Sequence, residues 1–376
     1  MSHKVGIVTF HNHSNYGAAL QAYGLRHVLE EMGVEVYFVC DDRKKGKEPQ
    51  NKDDQKPIEE MVTSAEDKRV RRLMDATRRL SDKTKEIQKQ IFSDFAFRYF
   101  KQIDLNEVRE KENEFAFFLA GSDQIWNYEI TGVDSFWFLD FAPKEKCFSY
   151  AASFGMNTLP EKGKQWYRKQ LQHIEGISVR EESGVQIVDE LLGREAIVCP
   201  DPVFLPEVNE WERLKKECQE SVVVYMTEFD AGLYNEAQKQ AKKMGLPFVY
   251  IGYANLGVTG FSLVHCDPQE WLGYLYHAQV VYTNSFHGCA FSLLFHKKLF
   301  YKPLMMLAKR NERVKSLFQK LCIEPVACRE RPDIFEISFE NSWESVDIKI
   351  EEMRECGRKY LRNTVSRFRK VDENNI

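Results

Sequence analysis

The stretch Val5-Gly6-Ile7-Val8-Thr9-Phe10 decides the fold, because a short apolar run of this kind is typical of a buried parallel strand. A polar loop, His11 to Tyr16, follows it. A run of good helix formers then begins at Gly17 and ends at Gly33. Val34 to Cys40 is a second apolar, β-rich run. Strand, helix and strand at this spacing form a βαβ unit, which predicts a doubly wound sheet with helices on both faces.

The same alternation continues along the chain. Four more strand-like runs, the later ones separated by helical stretches, complete the first half: Phe115–Ala120, Cys147–Ser153, Gly176–Val179 and Ala196–Cys199. Clustered prolines at 200, 202 and 206 predict a linker. Three strands separated by helices follow in the second half: Ser221–Met226, Pro247–Gly252 and Gln279–Thr283.

We therefore expect two α/β domains that face each other across a cleft. The first covers residues 1–205, including a charged helical excursion over about 41–100. The second covers residues 206–340, and residues 341–376 form a C-terminal helix with a charged tail.

Composition narrows the class of protein. The 376 residues include 53 Lys and Arg against 57 Asp and Glu, and this net charge of −4 argues against binding nucleic acid through overall charge. Nine cysteines without a CxxC pair indicate reduced thiols. No apolar run approaches the length of about 20 residues that a membrane span needs, and the N-terminus lacks the signal-peptide pattern. We therefore expect a cytoplasmic protein.

The excursion over about 41–100 carries its densest basic cluster at Lys68–Arg79. A solvated helical face is the simpler interpretation of such a charge run. If the cluster binds anything, anionic lipid headgroups are the favoured partner, which predicts a weak peripheral contact at the inner face of the membrane.

Polar motifs follow two strands of the first domain, where open α/β sheets bind ligands. The first runs from His11 to Ala18 and suits an anionic or hydroxyl-rich ligand, although Asn15 also fits a plain helix cap. The second is Gly121-Ser122-Asp123-Gln124-Ile125-Trp126-Asn127. Its density of hydrogen-bonding side chains favours ligand binding, and the alternative is an Asx-turn with Trp126 in the core.

Two further motifs carry the strongest candidates for chemistry. A short strand ending at Val179 delivers Arg180 to a helix start, where its fork suits a carboxylate or phosphate. The alternative is a structural ion pair with Glu181, Glu182 or Asp201. His287 lies between the strand Gln279–Thr283 and a helix predicted over Ala290–Phe295, beside Ser285, and an imidazole there suits proton transfer.

Several common motifs are absent from the sequence. It contains no GxGxxG, P-loop, GxSxG, HExxH or DxD pattern, which disfavours dinucleotide enzymes, NTPases, serine hydrolases, zinc proteases and many metal-dependent glycosyltransferases. No metal-ligand pattern is present either. We expect neither a metal nor a cofactor.

Taken in order, the motifs resemble those of the polysaccharide pyruvyl transferase family. The matching signatures are Asn15–Ala22, Gly121–Asn127, Phe148–Gly155, Ser178–Glu181, Asp201–Phe204 and Ser285–Gly288. One departure is Asn284, which stands where the family often has Asp and so removes a candidate charge beside the imidazole.

The resemblance implies a fold of two Rossmann-like domains facing a central cleft, similar to the metal-independent (GT-B-like) glycosyltransferases. The first domain would be the acceptor side and the second the donor side. The implied reaction moves a pyruvyl group from phosphoenolpyruvate to hydroxyls of a cell-surface or exopolysaccharide sugar and forms a ketal. The implied acceptor is a nucleotide- or lipid-linked sugar or oligosaccharide.

The resemblance also implies roles for particular residues. Arg180 would clamp the anionic donor, and His287 would be the general acid or base. In the first domain, Trp126 would lie flat against a sugar ring. The full set of expected substrate-binding residues is Asn15, Tyr16, Gly17, Gln21, Ser122, Asp123, Gln124, Trp126, Ser285 and Gly288.

Two other interpretations remain open at this stage. One is a glycosyltransferase or sugar-nucleotide enzyme on the same fold, whose donor a nucleoside diphosphate would displace. The other is a non-catalytic glycan-binding protein, against which the presence of both Arg180 and His287 argues.

Overall fold

The computed structural model describes residues 3–41, 82–252, 265–305, 311–337 and 343–373. The basic cluster Lys68–Arg79 lies outside the described residues, so the membrane contact stays a prediction.

The first sheet has seven parallel strands in the order β3-β2-β1-β4-β5-β6-β7. Val5, Ile7 and Val8 of β1 are completely buried, as expected for a central strand covered on both faces. The strands are β1 His3–Val8, β2 Val34–Cys40, β3 Gln102–Asp104, β4 Phe115–Asp123, β5 Cys147–Ala152, β6 Ser178–Val179 and β7 Ile197–Val198.

Helices connect these strands. They are α1 Tyr16–Glu31, α2 Asp82–Tyr99, α3 Leu105–Glu110, α4 Tyr128–Thr131, α5 Glu161–Gln172 and α6 Glu182–Leu192. Four single turns of 3₁₀-helix are Glu112–Glu114, Ser135–Phe138, Lys144–Lys146 and Pro202–Phe204.

The second sheet is mixed, with six strands in the order β12-β13-β11-β10-β8-β9. Its strands are β8 Ser221–Met226, β9 Phe248–Gly252, β10 Ala278–Thr283, β11 Lys298–Tyr301, β12 Val326–Ala327 and β13 Phe335–Ile337. β8 to β11 pair in parallel, whereas β13 pairs antiparallel with β11 and β12. The helices are α7 Val208–Leu214, α8 Ala231–Met244, α9 Pro268–His277, α10 Phe286–Leu294, α11 Asn311–Lys320 and α12 Glu344–Glu373.

Both sheets reverse their strand order at one point. In the first sheet the chain runs outward from β1 to one side and from β4 to the other, and in the second sheet β8 and β10 play these parts. Open α/β sheets bind ligands at such points, beyond the carboxyl ends of the strands. These strand orders confirm the expected fold of two Rossmann-like halves.

The halves are joined by packing and by the last helix. Tyr16 of α1 stacks on Trp271 of α9 at 5.5 Å between ring centroids, and its hydroxyl donates to the Cys266 carbonyl at 3.0 Å. α12 returns to the first sheet, where Phe368 stacks on Phe117 at 5.2 Å. The boundary near residue 205 stays a prediction, although the strands of the first sheet end at Val198 and those of the second begin at Ser221.

Among the described residues, none of the helices combines the length and apolar character required to cross a bilayer.

Candidate active site

The two points of strand reversal meet where α1 and α10 begin. α10 begins at Phe286 rather than at the predicted Ala290, because Ser285 caps it by accepting a hydrogen bond from the Gly288 amide at 3.4 Å. His287 is therefore the second residue of the helix. Its ring packs so tightly on Gly17 that a Cβ at that glycine would lie 1.9 Å from Nδ1. Only glycine leaves room for this imidazole.

Asp201 connects the two strongest candidates. Its Oδ2 lies 2.5 Å from Nη1 of Arg180 and 3.4 Å from Nε2 of His287, and its side chain has no exposed surface. Its Oδ1 accepts from the Val203 amide at 3.1 Å, which fixes the carboxylate at the start of a 3₁₀ turn. One carboxylate thus orients an arginine of the first domain and a histidine of the second.

Asp123, at the end of β4, completes the charged cluster. Its Oδ1 accepts from Nη2 of Arg180 at 3.3 Å and lies 3.7 Å from Nη1 of Arg313. Both arginines lie over the Phe286 ring, with the guanidinium carbons at 5.1 and 5.7 Å from its centroid. Glu181 is also close, with Oε2 3.8 Å from Nε of Arg180.

The cluster keeps its carboxylates ionised. Burial raises the pKa of Asp201, but the nearby His287 and Arg180 outweigh burial and hold that pKa well below its usual range. The pKa of Asp123 is lowered in the same way, by Arg180, His287 and Arg313 against the effect of burial. Burial lowers the pKa of Arg180, and Asp201, Asp123 and Glu181 together raise it by more. Near neutral pH these groups therefore remain charged.

A small cleft beside this cluster, with a volume of about 20 Å³, is lined by three cations as well as by the carboxylates of Asp201 and Glu181. Arg180 comes from the first domain, whereas Arg313 and Lys320 come from α11 of the second. The Lys320 ammonium donates to the Arg180 carbonyl at 3.3 Å, and burial lowers the pKa of this lysine. Nε of Arg180 is buried without a hydrogen-bond partner within the described residues, and Oε2 of Glu181 lies 3.8 Å from it. Such an orphaned buried donor is costly, and an acceptor atom of a ligand in the cleft would satisfy it.

Four of the expected binding residues do not offer their side chains to a ligand. Trp126 has no exposed surface and stacks on Phe138 at 5.3 Å, so it cannot lie against a sugar ring. The core alternative for this tryptophan is therefore correct. Gln21 is also fully buried, where it donates to Thr9 Oγ1 at 2.9 Å and accepts from the Ser122 amide at 3.3 Å.

Ser122 and Tyr16 are similarly committed to internal contacts. The Ser122 hydroxyl donates to the Ala151 carbonyl at 2.8 Å, and Tyr16 belongs to the interdomain stack described above. A sequence motif shows which polar residues follow a strand but does not show which of them face inward, and this accounts for all four corrections.

The remaining expected residues shape the site through the backbone. Asn15 caps α1 by accepting from the Ala18 amide at 3.0 Å, as its alternative interpretation held. Gln124 accepts from Asn127 at 2.9 Å and is nearly buried. Gly288 packs closely against Thr283, and a Cβ at this glycine would lie 2.3 Å from Thr283 Oγ1. Their contact with a substrate stays a prediction.

Asn284 has a different role from the one its position suggested. Its Oδ1 accepts from the Thr227 amide at 2.9 Å and its Nδ2 donates to the Glu228 carbonyl at 2.5 Å. The side chain therefore ties the loop after β8 to the end of β10. An aspartate would lack the donor that the Glu228 carbonyl requires.

Sequence reasoning missed three functional candidates. Asp201 was visible only as part of a signature and as a structural partner for Arg180. Arg313 and Lys320 lie on an amphipathic helix with no motif around them, and only the tertiary fold brings them to the cleft.

A comparison with protein families decides the relationship. The sequence profile described as polysaccharide pyruvyl transferase matches residues 15–301. The chain belongs to the polysaccharide pyruvyl transferase family. The matched segment contains Asp123, Arg180, Asp201 and His287, whereas Arg313 and Lys320 lie beyond it.

Two solved structures with low sequence identity are similar to this chain over nearly its whole length. The UDP-GlcNAc 2-epimerase of Neisseria meningitidis bound to UDP-GlcNAc is 10% identical, with a TM-score of 0.45 over 98% of this chain and 100% of that chain. A glycosyltransferase from Rickettsia africae is 9% identical, with a TM-score of 0.43 over 99% of each chain. A search of curated proteins found no significant match.

Groups of three or more His, Cys, Asp or Glu side chains that could hold a metal ion do not occur in the part of the chain that the structure describes. The absence of a metal from the reaction stays a prediction.

Proposed function

We propose that this member of the family transfers the pyruvyl group of phosphoenolpyruvate to two hydroxyls of a sugar, with release of inorganic phosphate. The observation that carries the proposal is the placement of Arg180 and His287 on one buried carboxylate, Asp201, beside a cleft with three cations. The reaction requires a site that binds a small polyanionic donor and places a proton-donating side chain beside it.

The donor carries a carboxylate and a phosphate, and both groups favour cationic partners. The fork of Arg180 already engages Asp201 and Asp123, so only its Nε lacks a hydrogen bond within the described residues. Arg313 and Lys320 of α11 supply further positive charge in the cleft. We infer that Arg180 orients the donor while these two side chains neutralise most of its charge.

The chemistry needs one proton donor and two sugar hydroxyls. Protonation of the methylene carbon by His287 makes the enol carbon electrophilic, and the first hydroxyl attacks it. The carbon–oxygen bond to phosphate then breaks, and the second hydroxyl closes the ketal. One hydroxyl proton restores the imidazole, and the other leaves with phosphate, so the protons balance. Asp201 stabilises the charged imidazole through this cycle.

The remaining parts of the proposal concern the acceptor and the location. We infer that the acceptor is a nucleotide- or lipid-linked precursor of a cell-surface polysaccharide, modified in the cytoplasm without a metal ion. All nine cysteines lie in the described residues and none is paired, which supports a reducing compartment.

Donor binding tests the proposal directly. Phosphoenolpyruvate should raise the melting temperature, and UDP at the same concentration should not. Arg180→Lys should weaken phosphoenolpyruvate binding by about tenfold or more, because an ammonium cannot hold Asp201 and Asp123 together and still present a donor where Nε lies. Isothermal titration gives both affinities.

The matched control is Arg194→Lys. Arg194 also uses its fork, which donates to the Ile174 and Glu175 carbonyls at 3.0 and 2.6 Å, outside the cleft. It should leave donor affinity unchanged. Stabilisation by UDP and none by phosphoenolpyruvate would contradict the proposal and favour a sugar-nucleotide enzyme.

A further inference from the structure

A second cavity lies in the first domain, apart from the cationic cleft. It has a volume of about 420 Å³ and lies beyond the carboxyl ends of β1, β2 and β3, between His11, Cys40 and Asp104. Trp137, from the 3₁₀ turn Ser135–Phe138, forms another wall. Its volume falls in the range of small-molecule sites in proteins.

Trp137 is held firmly but keeps part of its surface free. Its ring contacts Phe10 at 5.0 Å and Phe136 at 5.4 Å between centroids, and the side chain is half-buried. The buried Trp126 donates from Nε1 to the Trp137 carbonyl at 3.1 Å, which fixes the backbone. The indole Nε1 of Trp137 itself is buried with no hydrogen-bond partner within the described residues. This N–H group therefore requires a hydrogen-bond acceptor.

The charged side chains that line this cavity differ from those of the cleft. Asp41 and Asp104 contribute carboxylates, and neither lysine nor arginine occurs among the described side chains that line it. Burial lowers the pKa of His11 to about 4, so this imidazole is neutral at physiological pH. An anion such as phosphoenolpyruvate is therefore disfavoured here, whereas hydroxyls find carboxylate and amide partners in Asp104 and Gln102.

We propose that this cavity binds a neutral pyranose unit of the acceptor glycan, with the Trp137 ring packed against the sugar and its Nε1 donating to a sugar oxygen. Aromatic rings and short polar side chains in one concave site suit a ligand that is apolar on its ring face and hydroxylated at its edge. The proposal rests on the proposed function, because it assigns the acceptor of that reaction to this cavity.

The position of the cavity agrees with that assignment. β1 lies between β2 and β4, and neighbouring strands are about 5 Å apart. Thr9, which lines the cavity, donates from Oγ1 to the Ser122 carbonyl at 3.1 Å, immediately before Asp123 of the charged cluster. A sugar in the cavity would therefore adjoin the unit that receives the pyruvyl group.

Binding of neutral sugars to the full chain tests the proposal. The probes are lactose, maltose, cellobiose and methyl glucoside at high millimolar concentration, followed by saturation-transfer NMR. At least one should bind, and inorganic phosphate should not displace it. Trp137→Ala should weaken that binding by about tenfold, and Trp137→Phe, which keeps a ring and loses Nε1, should weaken it less.

The matched control is Trp166→Ala, because Trp166 is another half-buried tryptophan of this domain, packed on Phe138 at 5.3 Å outside the cavity. It should leave sugar binding unchanged. If Trp137→Ala fails to fold, Gln102→Ala replaces it, since Gln102 is exposed, and a loss of about threefold is expected on loss of one hydrogen bond.

The outcomes separate this inference from the proposed function. All these variants should keep the rise in melting temperature that phosphoenolpyruvate produces. Failure of every sugar to bind, unchanged binding in Trp137→Ala, or displacement by phosphate would overturn the acceptor cavity while leaving the donor site intact. Loss of the phosphoenolpyruvate effect in the wild-type protein would instead overturn the proposed function.

Discussion

His11 follows β1 of the first sheet and His287 follows β10 of the second, yet the two domains treat the same side chain in opposite ways. Nδ1 of His11 lies 3.1 Å from the Thr9 carbonyl, and the ring packs against Phe38 at 4.9 Å. His287 lies 3.4 Å from the Asp201 carboxylate. His11 contacts a backbone carbonyl and an aromatic ring, whereas His287 is placed beside an ionised carboxylate.

The difference extends to the cavities around them. The cleft beside Asp201 gathers Arg180, Arg313 and Lys320 around the carboxylates of Asp201 and Glu181. The cavity beside His11 has carboxylates and an indole, with no lysine or arginine among its described lining residues. The proposed anionic donor would find cationic partners in the cleft, and the proposed hydroxylated acceptor would find hydrogen-bond partners in the cavity.

The largest effect is expected for His287→Ala. Proton transfer by a positioned side chain typically contributes about 10²–10⁴-fold to a rate, so turnover of phosphoenolpyruvate with acceptor should fall by that factor. Sugar binding in the first-domain cavity should not change, because the two sites are separate. Steady-state kinetics and saturation-transfer NMR measure the two quantities.

His287→Asn is the companion variant, since it keeps much of the volume and one donor. It should be nearly as inactive while melting near the wild-type temperature. Activity that instead follows the folded fraction of each variant would assign His287 a structural role, and wild-type turnover in His287→Ala would refute the mechanism.

The sequence predicted the fold well because its signals are local. Apolar runs such as Val5–Phe10 and the polar loops after them identify parallel strands and the edge where ligands bind, and both reversals of strand order lie at predicted motifs. The same signals identified Arg180 and His287 as candidates. Their meeting at Asp201 was not predictable, because it depends on how two domains pack.

The errors share one physical cause. Trp126 and Trp137 are eleven positions apart and chemically identical, and only burial distinguishes the core residue from the cavity wall. Burial is a property of the tertiary fold. Arg313 illustrates the same limit, since an arginine on an amphipathic helix gives no sign of which cleft it will reach.

The next largest effect is expected for Gly17→Ala. The added Cβ would lie 1.9 Å from Nδ1 of His287, so the imidazole must move. A misplacement of about 1 Å at a reacting group costs about 10²-fold in rate, and we expect a loss of that order with donor affinity preserved. Alanine favours the helix, so α1 itself should not be weakened. Steady-state kinetics measure the loss of turnover, and the melting temperature shows whether the variant is folded.

Gly232→Ala is a matched control. Gly232 is the second residue of α8, as Gly17 is of α1, and its Cβ would meet only the end of the flexible Arg331 side chain at 2.2 Å. That side chain can shift, so activity should stay within about twofold of wild type on the scale of ordinary surface substitutions. Equal losses in both variants would show that the contact between Gly17 and His287 is irrelevant to turnover.

The smallest effect at neutral pH is expected for His11→Gln, which should change the free energy of unfolding only in acid. Because burial lowers the pKa of His11 to about 4 against an ordinary 6.5, the unfolded chain binds a proton in this interval that the folded chain does not. Stability must then fall as the pH drops from about 6.5 to about 4, by up to about 3 kcal/mol, and it is unaffected above that window.

A glutamine cannot titrate, so the variant should lack this loss, and the titrations of all other groups cancel in the difference between the two proteins. Urea unfolding at a series of pH values gives the difference directly. Parallel curves would mean that His11 takes up a proton as readily in the folded protein as in the unfolded chain, and the contrast between an uncharged His11 and the charged groups around His287 would then not hold.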